Sequence, residues 1–170
     1  MRELGLPDAS LDGAICRWLL MFVPEPERVI EGASRALRPG GRLAVMEYTQ
    51  FRSSSLWPEG RCFRQLYDQV HQLIAASGGD ADIGARVPSL AAAAGFEIEK
   101  LIPIWRVGGP GSPEWSWLEG THPNHPNLVE AGLITAAGLD DYFREWEAAS
   151  RNPAAVFTAP PVLATIARKR

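Results

Sequence analysis

At 170 residues with 46% hydrophobic side chains, the chain is long enough for one domain with its own core and too short to make two the expectation. A formal net charge of -3, with no basic cluster beyond the terminal Arg168, Lys169 and Arg170, gives no attraction to phosphate backbones or anionic lipid, so neither nucleic acid nor a membrane is expected as a partner. No apolar run approaches the roughly 20 residues of a spanning helix, no leader-like segment opens the chain, and Cys16 and Cys62 lack zinc or redox spacing, so a cytoplasmic protein with two buried thiols is expected.

Leu11 to Cys16, LDGAIC, is a short apolar run bounded by Pro7, Asp8 and Ser10, which suits a buried strand of a parallel sheet. Pro26 fits the first turn of a helix, and Val29, Ile30, Ala33 and Leu37 recur at helical spacing opposite Glu27, Arg28, Glu31 and Arg35. Pro39 ends that helix, Gly40 or Gly41 supplies a positive φ, and Arg42 to Tyr48 reads as the next strand. Strand, crossover helix and strand make a right-handed βαβ unit with parallel strands.

Phe63, Leu66, Val70, Leu73 and Ile74 mark a second helix closed by Gly78 and Gly79, and Val87 to Ala94 a third, with Pro88 in its first turn. Phe96 to Ile104 follows as a strand. Residues 106–153 are rich in Gly, Pro and Trp at first and helical from about Ala136, with Thr135 as N-cap, and read as a helical insertion before a last strand at Val162 to Ala167. Trp105, Trp115, Trp117 and Phe143 either line an apolar pocket or form the insertion's own core.

A strand carrying LD, then RWLLMFVPEP, LRPGGRLAVMEY, DIGARVPSLAAAAGF and a final strand ending in ARKR, resembles the class I S-adenosylmethionine-dependent methyltransferases, and within them the small-molecule, ubiquinone-biosynthesis-like type. The resemblance runs over nearly the whole chain. It implies an α/β fold with a partial Rossmann-like sheet, strands four to seven of the family's seven, the last antiparallel. It also implies that the glycine-rich cofactor loop, the acid that binds the ribose and the acid that reaches the adenine fall upstream of residue 1, so the expectation is a truncated domain.

Ligands of open α/β sheets bind at the carboxyl ends of the strands. The resemblance puts the backbone of Cys16 and Arg17 near the methionine end of S-adenosylmethionine with Trp18 beside it, or else Cys16 is core and Trp18 a packing aromatic. Glu47 and Tyr48 either face the acceptor or serve as a capping carboxylate and a rim side chain. His71 is the candidate base, its helix resembling the family's lid segment, and is otherwise a packing or solvated side chain. His122 and His125, in THPNHP, lack a third ligand, and no metal is expected. Two functional expectations follow: a methyltransferase of a small-molecule acceptor, or a non-catalytic module that pairs with a separate segment. In the second, Leu11 to Cys16 is an unpaired edge through which the chain self-associates.

Overall fold

The computed structural model describes residues 5–58, 60–122 and 125–170. They form two compact units, the first comprising residues up to Gln50 with Ile74–Ile104 and Val162–Arg170, the second Phe51–Leu73 and Trp105–Pro161.

The first unit is built on β1 (Leu11–Arg17), α1 (Pro26–Ala36) and β2 (Leu37–Tyr48). Pro26 opens α1, Glu27 lies in its first turn and Arg35 in its last, each matching the helix dipole, while Ile30 and Ala36 are buried. The two strands are parallel, as expected, with Cys16 opposite Val45 and Arg17 opposite Met46. β2 begins five residues earlier than the sequence suggests because Leu37 already pairs with Leu11, and the ladder then skips to Gly13 opposite Arg42. The intervening turn has Gly40 at φ +81°. A Cβ at Gly41 would lie 2.9 Å from the Arg38 carbonyl and 3.1 Å from that of Asp12, so this turn needs both glycines.

β2 is followed in the sheet by β7 (Val162–Lys169) and β4 (Phe96–Ile104), in the order β1-β2-β7-β4, with β7 antiparallel to both neighbours. α3 (Val87–Ala93) leads into β4 through Gly95 at φ +89°. Along β2, Leu43, Val45 and Glu47 are all buried. They fall on one face by the two-residue period of a strand, which draws an acid into an apolar row. β1 differs from the expectation of a buried strand: among the described residues β2 is its one neighbour in the sheet, and Ile15 is 73% exposed. Neither thiol is fully buried, Cys16 and Cys62 both being partly buried and unbonded to one another.

The second unit holds a three-stranded antiparallel sheet that the sequence does not announce, β3 (Ser55–Trp57), β6 (Val156–Thr158) and β5 (Val107–Gly108), in the order β3-β6-β5. Its strands are two or three residues long, below what alternation can reveal. Most of α2 (Arg61–Ala76) lies in this unit, with α4 (Pro113–Glu119), α5 (Pro126–Glu130) and α6 (Ala136–Ser150). Thr135 caps α6, its hydroxyl accepting from Gly138 N at 3.0 Å. From α6, the Glu145 carboxylate caps α2 by accepting from Cys62 N at 3.0 Å and Phe63 N at 2.8 Å. Trp115 stacks on Trp146 with centroids 4.2 Å apart, and both are buried. Of the four aromatics expected as core or pocket, Trp115 is core and Trp105 is exposed.

A histidine pair is embedded in this core. His122 Nε2 lies 3.0 Å from the Tyr142 hydroxyl, and the His122 and His125 ring centroids are 5.2 Å apart. The Thr121 hydroxyl donates to Leu118 O at 2.7 Å, so toward His125 Nε2, 3.5 Å away, it can only accept. That leaves His125 Nδ1 as an acceptor buried without a hydrogen-bond partner among the described residues, on a residue 7% exposed. Burial, and secondarily the neighbouring His122, push His125 down from 6.5 to about 4. The folded pKa is the lower one, so the stability from neutral His125 is complete above pH 6.5 and lost as pH falls toward 4. Urea unfolding at pH 7 and pH 4.5 should show a loss of about 2.5 kcal/mol that the H125Q variant does not share. An equal loss in both proteins would mean that His125 is not the proton acceptor.

Candidate functional site

Parallel pairing brings the carboxyl ends of β1 and β2 to one edge of the sheet, and the candidate site is the rim they form in the first unit. Trp18 N donates to Met46 O at 3.0 Å, extending the ladder by one step. The chain then turns at Trp18 with φ +51°, a left-handed conformation that is rare for a bulky side chain and costs on the order of 1 kcal/mol or more. Leu20–Phe22 continue as one turn of 3-10 helix.

The turn is held from β2. Glu47 is 0% exposed, and its Oε1 accepts from Leu19 N and Leu20 N, each at 2.8 Å, with the Cys16 thiol 3.8 Å away. Its other oxygen is buried without a hydrogen-bond partner among the described residues. Burial raises the Glu47 pKa, opposed by the backbone N–H groups. Burial likewise raises the Cys16 thiol to about 11, with the Glu47 charge second.

Two glycines complete the rim. A Cβ at Gly84 would sit 2.6 Å from Tyr48 O and 2.7 Å from Glu47 O, and one at Gly79 would sit 2.2 Å from Met21 O, so only glycine lets these segments approach. Beside that second contact, Asp80 N donates to Met21 O at 3.0 Å. The side chains at the rim are aromatic and cationic. Trp18 stacks on Tyr48 with centroids 5.4 Å apart and planes 20° from parallel, and the Arg17 guanidinium carbon lies 4.6 Å from the Trp18 ring centroid.

The structure thus gathers Cys16, Arg17, Trp18, Glu47 and Tyr48 into one rim. His71 is on α2 in the second unit, 6.5 Å between ring centroids from Phe51. The signal the sequence carries for Gly79 and Gly84 is a short turn-like run, GGDADIGA, in which Asp80 follows Gly79 and Asp82 stands two residues before Gly84. Among the described residues no group of three or more His, Cys, Asp or Glu side chains could hold a metal, and no helix is long and apolar enough to cross a membrane.

Residues 1–45, which contain β1, its exit turn and most of β2, match the family model described as a methyltransferase domain. The chain is 33% identical over 136 residues to an uncharacterised 37.1 kDa protein of transposon Tn4556 in Streptomyces fradiae, covering 80% of this chain and 38% of that protein. It is 38% identical over 47 residues to a phosphatidylethanolamine N-methyltransferase of Cereibacter sphaeroides, covering 28% of this chain and 23% of the enzyme. It therefore spans well under half the length of these curated relatives. Among solved structures, a candidate methyltransferase from Bacillus halodurans C-125 superposes with a TM-score of 0.56 at 13% identity, covering 98% of this chain and 73% of that one, a likeness of fold.

The Cys16 thiol gives a direct check on the rim. In a C62S variant, where Cys16 is the one remaining thiol, its reaction with an aromatic disulfide at pH 7.5 should run at least about tenfold slower than that of a free thiol. Loss of thiolate by roughly a hundredfold is there partly offset by higher nucleophilicity. A rate equal to the free thiol would mean that Cys16 is neither desolvated nor faced by the Glu47 carboxyl.

Proposed function

Because the chain is a member of the methyltransferase family, of the class I S-adenosylmethionine-dependent kind, we propose that its β1–β2 rim binds S-adenosylmethionine and presents its methyl group to a small-molecule acceptor. The observation that carries this reading is the coincidence of two facts. The matched segment ends at β2, and the aromatic and cationic side chains gather where its two parallel strands end.

The residues present suit the methionine end of such a cofactor. A carboxylate is matched by the Arg17 guanidinium, and a sulfonium by the electron-rich faces of Trp18 and Tyr48. When bound, the cofactor supplies a methyl group already activated on a positively charged sulfur. What remains for the protein is alignment, worth up to roughly 7–11 kcal/mol when donor and acceptor are held near attack geometry. The rim is built for holding: its turn is fixed by backbone bonds to Glu47, and Trp18 is backed by Tyr48. An amine, thiolate or carboxylate acceptor needs no general base, and only a weakly acidic hydroxyl would call for one.

Isothermal calorimetry with S-adenosylhomocysteine should give heat with a dissociation constant in the micromolar to millimolar range, and W18A should weaken it about tenfold through loss of the aromatic face. No heat from the wild-type chain at millimolar ligand would remove this reading.

A second reading is favoured by one observation, the edge at β1. With a strand on one side only among the described residues, and Ile15 exposed, β1 offers a row of peptide groups and apolar surface to a further strand. In that reading the chain works as a module that pairs through β1, with itself or with another segment. Light scattering should then report a species heavier than one chain at micromolar concentration, reduced by I15K. A monomer at every concentration would count against it.

A further inference from the structure

We propose that Glu47 is the positioning residue of the rim: by its reach, rather than by its charge, it holds the exit turn of β1 and with it the Trp18 ring. The part of this inference that concerns a ligand rests on the function proposed above, and the part that concerns the turn does not.

An acid in the row Leu43, Val45, Glu47 breaks the apolar alternation of β2 and is fully buried, a placement that disfavours folding unless its polar atoms are used. One oxygen is used fully. The Oε1 atom lies at the meeting point of two successive N–H groups, those of Leu19 and Leu20, which the left-handed turn at Trp18 aims back toward β2. These are the donors left over where β1 has ended and the 3-10 turn has not yet supplied acceptors. Without the carboxyl oxygen these two donors would lose the acceptor that secures the turn just after the strained φ at Trp18.

Glu47 itself is out of reach of any ligand at the rim, since no part of it is exposed and Gly84 closes over its carbonyl. Its influence passes through Trp18, whose N–H is fixed to Met46 O and whose ring lies on Tyr48, the residue after Glu47. The second oxygen takes no part in the strap. An amide therefore preserves the contact and a shorter acid does not, because aspartate ends one carbon–carbon bond, about 1.5 Å, short.

The experiment compares wild type with E47Q, E47D and E47A. Hydrogen exchange of the Leu19 and Leu20 amides, read by NMR, reports the strap without any ligand. In the wild type both should be protected. E47Q should retain that protection within about threefold, whereas E47D and E47A should lose at least tenfold, the equivalent of one net hydrogen bond. Binding of S-adenosylhomocysteine should follow the same order. If E47D behaves as wild type and E47Q does not, the charge matters rather than the reach and the proposal fails. If a variant does not fold, the wild-type amides still decide, since exchange at the rate of an unstructured peptide would show that no strap exists. Protected amides in a wild-type chain that binds no ligand would sink the proposed function and leave the strap standing.

Discussion

Parallel pairing of β1 with β2 obliges the chain to leave the sheet, cross over it as α1 and re-enter from the same side, and this brings both carboxyl ends to one edge. Each feature of the rim depends on that obligation. Trp18 can bond to Met46, and Glu47 can reach Leu19 and Leu20, only because the strands run in register to their ends. The register is set at the other end of the strands, where the turn through Gly40 and Gly41 absorbs the skipped residues. β7, antiparallel to β2 across Arg42 to Tyr48, fixes β2 from its other side.

The two units use a common fastener. In each, a glutamate from one element accepts from two successive backbone N–H groups of another: Glu47 from Leu19 and Leu20, and Glu145 from Cys62 and Phe63. In each, a glycine lies close against the glutamate, at Gly60 beside its side chain and at Gly84 beside its backbone. A methyl at Gly60 would lie 2.4 Å from the Glu145 carboxylate, and one at Gly84 would strike the carbonyls of Glu47 and Tyr48. The difference lies in the oxygens. Glu145 uses both, as a helix cap does, whereas Glu47 spends one on both donors and leaves the other bare. A cap ends a regular element, but the strap at Glu47 stabilises a turn that local preferences oppose.

Helical spacing of apolar residues was enough to place α1, α2 and α6, while short apolar or alternating runs bounded by Gly, Pro and Asp placed β1, α3, β4 and β7. They could not reveal β3, β5 and β6, which are too short to alternate, nor show that Phe51–Leu73 belongs with the later helices, a matter of long-range contact. The rim residues were legible as a set, because strand ends follow from strand positions. Their roles were not. Nothing in LAVMEY distinguishes a glutamate facing a ligand from one buried in line with Leu43 and Val45 except the phase of the strand, and phase is fixed by pairing. Expecting a buried strand at LDGAIC had the same origin, since an apolar run does not say how many neighbours it has.

Groups with displaced pKa values commonly mark catalytic sites, and here that inference runs the other way. Cys16, Glu47, His125 and Tyr142 all depart from their ordinary ranges, and for each the first cause is burial rather than an arranged charge partner. A reaction that moved protons would need such groups poised in contact with substrate. Displacement at a sulfonium needs instead that two reactants be held in line, and the residues that accomplish holding are those that fix backbone. On the function proposed above, those residues are here an acid without exposure, two glycines defined by what they do not carry, and a tryptophan in a conformation it would not choose. A site of that kind leaves no constellation of reactive side chains in the sequence. If the proposed function holds, the acceptor is to be sought by binding, because the specificity of an alignment device resides in shape.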